Sequence, residues 1–100
     1  MFATLFEWTV QPRREDAFAS AWEEATLELR ALGSQGSALF RGEGGELIGF
    51  ARWPDRATRD AAFARSGQKA FERMSECLAA PTRRVDLDEV RNLWADYRAQ

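Results

Sequence analysis

Glu7 stands between Phe6 and Trp8 in an alternating apolar segment. A carboxylate buried at such a place could work as a general base. The other reading is an ion pair with a strand neighbour such as Arg41 or Arg52. Arg52 also has two readings. Its guanidinium offers a fixed fork of donors for an anionic substrate group, or it is simply paired or solvated. Glu7 and Arg52 are the candidate catalytic residues. Phe6, Trp8, Trp22, Phe50, Trp53, Phe63 and Met74 are the candidate lining of an apolar substrate pocket. The same side chains, with Trp94, also serve as ordinary core packing, since aromatic residues dominate small cores. Trp8 and Trp22 have the stronger functional case, because a buried indole N–H needs an acceptor and a ligand oxygen can supply one.

Other motifs read more simply. Gly42-Glu43-Gly44-Gly45 lacks the Lys-Ser/Thr and the following helix of a phosphate loop, so it reads as a hairpin turn. Cys77, on the apolar side of a helix, reads as a small buried hydrophobe, with a reactive thiol as the alternative. Glu23, Glu24 and Glu28 form a solvated helix face, and no metal or other cofactor is implied.

The missing residues exclude more. The sequence contains no histidine, which removes Ser-His-Asp and Cys-His triads, imidazole acid–base chemistry and nearly every catalytic zinc site. Lys69 is the only lysine, so Schiff-base chemistry would rest on one residue. Cys77 is the only cysteine, so an intrachain disulfide is impossible and a reducing, cytoplasmic location fits. Fourteen Lys plus Arg against sixteen Asp plus Glu gives a net charge of −2, which offers no electrostatic footprint for nucleic acid or an anionic membrane. No segment approaches the roughly 18 uncharged residues of a membrane span, and Glu7 interrupts the N-terminus before a signal peptide could form. A chain of 100 residues has room for one domain, residues 1–100, with 95–100 as a terminal extension. A core this small gains from a partner subunit.

The elements that must position these residues follow from periodicity. Phe2 to Val10 alternates as a strand, with Phe2, Thr4, Phe6, Trp8 and Val10 on one face, and Pro12 stops it. Phe18, Trp22, Ala25, Leu29 and Leu32 recur at three- and four-residue steps, predicting a helix of about five turns that Gly33 closes. Ser37 to Arg41 and Glu46 to Trp53 form a hairpin around the glycines. Asp55 caps a helix with Ala62 and Phe63 on its apolar side. That helix breaks at Ser66-Gly67-Gln68 and resumes from Lys69 to Leu78, with Phe71, Met74 and Leu78 on one face. Arg83 to Leu87 alternates as a last strand, although Leu87, Val90, Leu93, Trp94 and Tyr97 also fit a helical face. The order βαββαβ predicts an α+β, ferredoxin-like domain: a four-stranded antiparallel sheet with helices on one face. Its uncovered apolar face predicts a homodimer.

Several segments carry a resemblance to a known family: the opening strand Phe2 to Pro12, the Phe18-to-Trp22 stripe, Gly36-Ser37-Ala38-Leu39, and above all Ile48-Gly49-Phe50-Ala51-Arg52-Trp53-Pro54-Asp55. Over about residues 2 to 94 the chain resembles the antibiotic biosynthesis monooxygenase-like proteins, whose two sheets face each other in a dimeric α/β barrel. The resemblance implies two functional readings. One is a cofactor-independent monooxygenase acting on a small aromatic or polyketide-like molecule. The other is a non-catalytic dimeric binding or accessory protein of the same fold. The haem-degrading branch uses an asparagine, a tryptophan and a histidine; the matching places here are Phe6 or Glu7, Ala62 or Phe63, and the segment Phe71 to Ser75, so that activity is not expected. The quinone-forming branch uses tryptophan, asparagine, tyrosine and arginine, of which only Trp53 and Arg52 find a counterpart. Asn92 and Tyr97 fall in the ambiguous tail.

Overall fold

A computed structural model describes residues 1–95 of the chain. Strand β1 (Phe2–Trp8) leads to helix α1 (Glu15–Ala31), the hairpin β2 (Ser37–Arg41) and β3 (Leu47–Trp53), the helices α2 (Arg56–Arg65) and α3 (Lys69–Glu76), and strand β4 (Arg83–Asp88). The strands pair antiparallel in the order β2-β3-β1-β4. This is the ferredoxin-like βαββαβ arrangement expected from the sequence, with the second helix in two pieces.

Local chemistry sets the boundaries. Glu15 and Asp16 occupy the first turn of α1 and Arg30 the last, each complementing the helix dipole. Gly33, at φ +114°, carries the chain out of α1, and the Ser34 N–H donates back to the Leu29 carbonyl at 3.0 Å. In the hairpin turn the Gly42 N–H donates to the Glu46 carbonyl at 2.8 Å, and Gly45 takes φ +88°, a conformation glycine adopts without a steric penalty. Asp55 caps α2 by accepting from the Thr58 N–H at 2.7 Å.

Helix α3 ends at Glu76 rather than at the expected Leu78, and β1 also ends early. Strand β1 ends at Trp8 rather than Val10, because the chain there turns to pair with the end of α3. Val10 makes an isolated bridge to Leu78, and the Ala79 N–H donates to the Thr9 carbonyl at 2.8 Å. In the tail the strand reading prevails. Leu87 pairs with Ala3 inside β4, residues 89–95 form no helix, and Tyr97 and the rest of the expected 95–100 extension beyond Ala95 lie outside the described residues.

The helix-side face of the sheet carries Phe2, Thr4, Phe6 and Trp8 of β1 and Leu47, Gly49, Ala51 and Trp53 of β3, by strand alternation and register. Trp8, Phe18, Ala21, Ala25, Leu47, Ala70, Met74 and Cys77 form the larger core cluster, and Phe2, Ala51, Trp53 and Ala62 a second. Arg59 ties α2 to the sheet. Its side chain is buried and donates to Thr4 Oγ1 at 2.8 Å and to Asp86 Oδ1 at 2.8 Å, with Phe2 beneath the guanidinium. The opposite face, with Leu5, Phe40, Ile48, Phe50, Val85 and Leu87, has no helix over it among the described residues, and Trp94 lies against Phe50 on part of it. Among the described residues no helix is long and apolar enough to cross a membrane.

Candidate functional site

Between the sheet and the helices lies a cavity of about 290 Å³. Small side chains leave it unfilled: Gly49 and Ala51 are the middle helix-facing residues of β3, and Ala25 stands on the α1 wall. Large residues build its walls, with Phe6 and Trp8 from β1, Trp22 from α1, Trp53 from β3, Phe63 from α2, and Phe71 and Met74 from α3. Phe6 stacks on Trp8 with ring centroids 5.2 Å apart, and Trp8 tilts against Phe18 at 5.0 Å. Phe63 presents its ring edge-on to Trp53 at 5.9 Å and to Phe71 at 6.1 Å. Such pairs fix the walls by quadrupole geometry as well as by burial.

Gly49 is a structural requirement of this wall. A Cβ there would lie 2.7 Å from Trp8 Cζ3 and 3.5 Å from Trp22 Nε1, so Trp8 keeps its place only because β3 has no side chain beneath it.

The polar lining consists of the hydroxyls of Thr26, Ser37, Ser75 and Thr82 and the indoles. Ser75 and Thr82 are exposed and stand at the rim. None of the described lining residues carries a charge. Trp53 is fully buried, and its Nε1–H has no acceptor among the described residues.

Six of the seven pocket residues expected from the sequence line this cavity: Phe6, Trp8, Trp22, Trp53, Phe63 and Met74. Phe50 does not. Alternation along β3 turns it to the uncovered face, where its ring lies 6.4 Å from Trp94. The same alternation places Glu7 and Arg52 across the sheet from the cavity. Glu7 lies opposite Arg83 in the β1–β4 register and 3.8 Å from its guanidinium. Its ion-pair partner is thus on β4, and not Arg41 or Arg52 as expected, since Arg41 pairs with Glu15 on α1. Arg52 lies 6.0 Å from the Trp94 ring. Cys77 is buried, its thiol donating to the Arg73 carbonyl at 3.3 Å with Arg14 Nη2 at 3.6 Å. The sequence reading did not assign to the pocket the apolar Leu29, Phe71 and Leu78, nor the small Ala25, Gly49 and Ala51 that leave the space open. The signal of the small ones was present, since two consecutive helix-facing residues of β3 ahead of a tryptophan are too small to fill the layer.

No known family profile and no curated protein sequence matches the chain. Solved structures do. Rv0793 from Mycobacterium tuberculosis superposes with a TM-score of 0.79 at 20% identity, covering 92% of this chain and 97% of its own. An antibiotic biosynthesis monooxygenase crystal structure gives 0.77 at 19% identity, covering 91% and 100%. A variant of SnoaB, a cofactor-independent oxygenase from Streptomyces nogalater, gives 0.80 at 14% identity, covering 92% and 95%. At these identities the likeness is one of fold: the chain has the fold of the antibiotic biosynthesis monooxygenase-like proteins it resembles in sequence pattern.

Proposed function

We propose that the cavity holds a small aromatic or polyketide-like molecule and that the chain oxygenates it without a cofactor. The observation that carries this reading is the aromatic-walled, uncharged cavity of about 290 Å³ in a fold shared with a protein named as a cofactor-independent oxygenase. Its size is about twice the roughly 150 Å³ of an apolar protein cavity that binds benzene, so a molecule of two or three rings fits.

In the reaction proposed, an electron-rich ring system supplies the electrons. A ring methylene loses two hydrogens and gains one atom of dioxygen as a carbonyl, and the other oxygen atom leaves with the two hydrogens as water. The chain's own contribution is to stack the ring between Phe6, Trp8, Trp22 and Phe63, to hold it in one orientation and to exclude water. Glu7 and Arg52 have no part in this step, because the sheet stands between them and the cavity.

One observation favours the second reading, a non-catalytic binding or accessory protein: no titratable side chain lines the cavity among the described residues. Dioxygen uptake separates the two when measured beside ligand binding, with a panel of two- and three-ring phenols and anthrones. Uptake of one equivalent per ring oxidised supports the oxygenase. Binding without uptake leaves the accessory role, and a panel that neither binds nor reacts overturns both.

We also propose that the uncovered face pairs with the same face of a second copy. Phe40 is 57% exposed and Val85 48% exposed on it, and pairing would remove both from water.

A further inference from the structure

Trp22, Thr26 and Ser37 line the main cavity and also a second hollow, of about 210 Å³, on its outer side. The hollow lies between α1 and the start of the edge strand β2. These two elements are joined at one end by residues 32–36 and at the other by the Arg41–Glu15 ion pair. The seam between them is thus fastened at both ends, and the three shared residues stand along it. The Trp22 indole is half-buried, and its Nε1 lies 3.5 Å from where a Cβ on Gly49 would be, so it reaches in over β3 from the seam. Beyond it, Glu23, Leu27 and Arg30 follow at helical spacing on α1 and stand across the hollow from Gln35 and Gly36. The backbone of these last two is held by β3. The Gln35 N–H donates to the Arg52 carbonyl at 2.8 Å, and the Arg52 N–H donates to the Gly36 carbonyl at 2.9 Å. Closing the hollow onto α1 would break both bonds.

We propose that the ligand site continues past Trp22 into this hollow, and that its ligand is an aromatic ring system carrying an uncharged, hydroxylated side chain. The rings occupy the cavity, and the hydroxyls lie outside among Thr26, Arg30, Gln35 and Ser37. This deepens, and rests on, the reading of the cavity as a ligand site. The contrast between the two linings sets the class. The inner one is aromatic and uncharged, so hydroxyls placed there would give up water for few partners. The outer one offers a guanidinium and an amide N–H that donate, a carboxylate and an amide carbonyl that accept, and hydroxyls that do either. Glu23 and Arg30 carry opposite charges, so neither an anionic nor a cationic side chain gains from both, whereas a hydroxyl donates to one and accepts from the other.

The naphthyl ether of glycerol and naphthyl propyl ether make a matched pair: the same rings, ether oxygen and three-carbon chain, with and without two hydroxyls. Their affinities are to be measured by titration calorimetry on the wild-type protein and on the double variant Arg30→Ala, Gln35→Ala, which truncates two exposed residues. The wild type is expected to favour the glycerol ether over the propyl ether about five-fold more than the variant does, as one or two hydrogen bonds would give. The propyl ether should bind both proteins alike. In the wild type the side-chain amide resonances of Gln35 should move with the glycerol ether and stay in place with the propyl ether. Equal preference in the two proteins, with stationary Gln35 resonances, overturns the outer half of the site while leaving the cavity a ligand site. Movement at Ser75 and Thr82 instead would put the hydroxyls at that rim and overturn the proposal equally. Failure of both compounds to bind overturns the cavity reading and the proposal with it. If the double variant does not fold, the wild-type Gln35 resonances decide alone.

Discussion

Gly49 and Trp8 show how closely the cavity depends on single residues. A methyl group on Gly49 would come within 2.7 Å of the Trp8 ring, so Gly49→Ala must push the indole toward the empty space beside it. Overpacking of this kind costs about 1–3 kcal/mol. The variant should therefore melt below the wild type and bind two-ring ligands at least ten-fold more weakly, measured by calorimetric melting and by ligand titration. An unchanged affinity would show that Trp8 does not set the cavity wall. At this scale the sequence was legible as far as residue type and no further. It named six of the lining side chains, because large aromatic residues on a periodic face announce themselves. It grouped Phe50, Glu7 and Arg52 with them, because neighbours along a strand are close in sequence yet point to opposite faces. The void escaped notice because it is made by what Ala25, Gly49 and Ala51 lack.

Helix α2 forms one wall of the cavity through Phe63, and two devices hold it in place. Asp55 caps its first turn, and the hydrogen bond from the Thr58 N–H holds the Asp55 carboxyl below its ordinary range. Asp55→Ala should lower the melting temperature by a few degrees, of the size usual for a lost cap. The second device is the Arg59 clamp on Thr4 and Asp86. Removing one partner of a buried ion pair costs roughly 3–5 kcal/mol, and since Asp60 Oδ1 remains 2.8 Å from Arg59 Nε, Asp86→Ala should cost about 3 kcal/mol by denaturant unfolding. The hydrogen bonds from Arg59 are the main cause of the lowered Asp86 pKa. A carboxyl lowered by folding contributes stability that is complete above its unfolded value, near 4, and disappears as the pH falls through the folded value. The wild type should therefore lose melting temperature steeply below about pH 4, and Asp86→Asn should show a shallower loss over the same interval. Equal slopes would place the acid sensitivity elsewhere. The elements themselves were readable: the Asp55 cap, the break at Ser66-Gly67-Gln68 and the glycine turn are local signals. The clamp was not, because Thr4, Arg59 and Asp86 are brought together only by the βαββαβ crossing.

At the scale of the whole molecule, the two faces of the sheet have separate tasks. The helix side encloses the cavity, and the other side presents Leu5, Phe40, Ile48, Phe50, Val85 and Leu87 with charged residues at its margin, including the Glu7–Arg83 pair. Alternation in the sequence made the helix-free face legible, whereas the return of Trp94 onto Phe50 and Arg52 depends on where the chain runs after β4. Apolar area is worth about 25 cal/mol per Å² removed from water, and a specific interface buries about 800 Å² per partner. Twofold pairing of this face would repeat each contact, so one substitution acts twice. Val85 and Phe40 are exposed in the single chain; replacing both by lysine should leave the protomer's melting temperature within a few degrees while raising the dimer dissociation constant at least a hundred-fold. Sedimentation velocity over a dilution series reads that constant directly. A wild type that sediments as a monomer at micromolar concentration would refute the pairing. If the double lysine variant instead stayed dimeric, the interface would have to lie on another surface than the one that carries Phe40 and Val85.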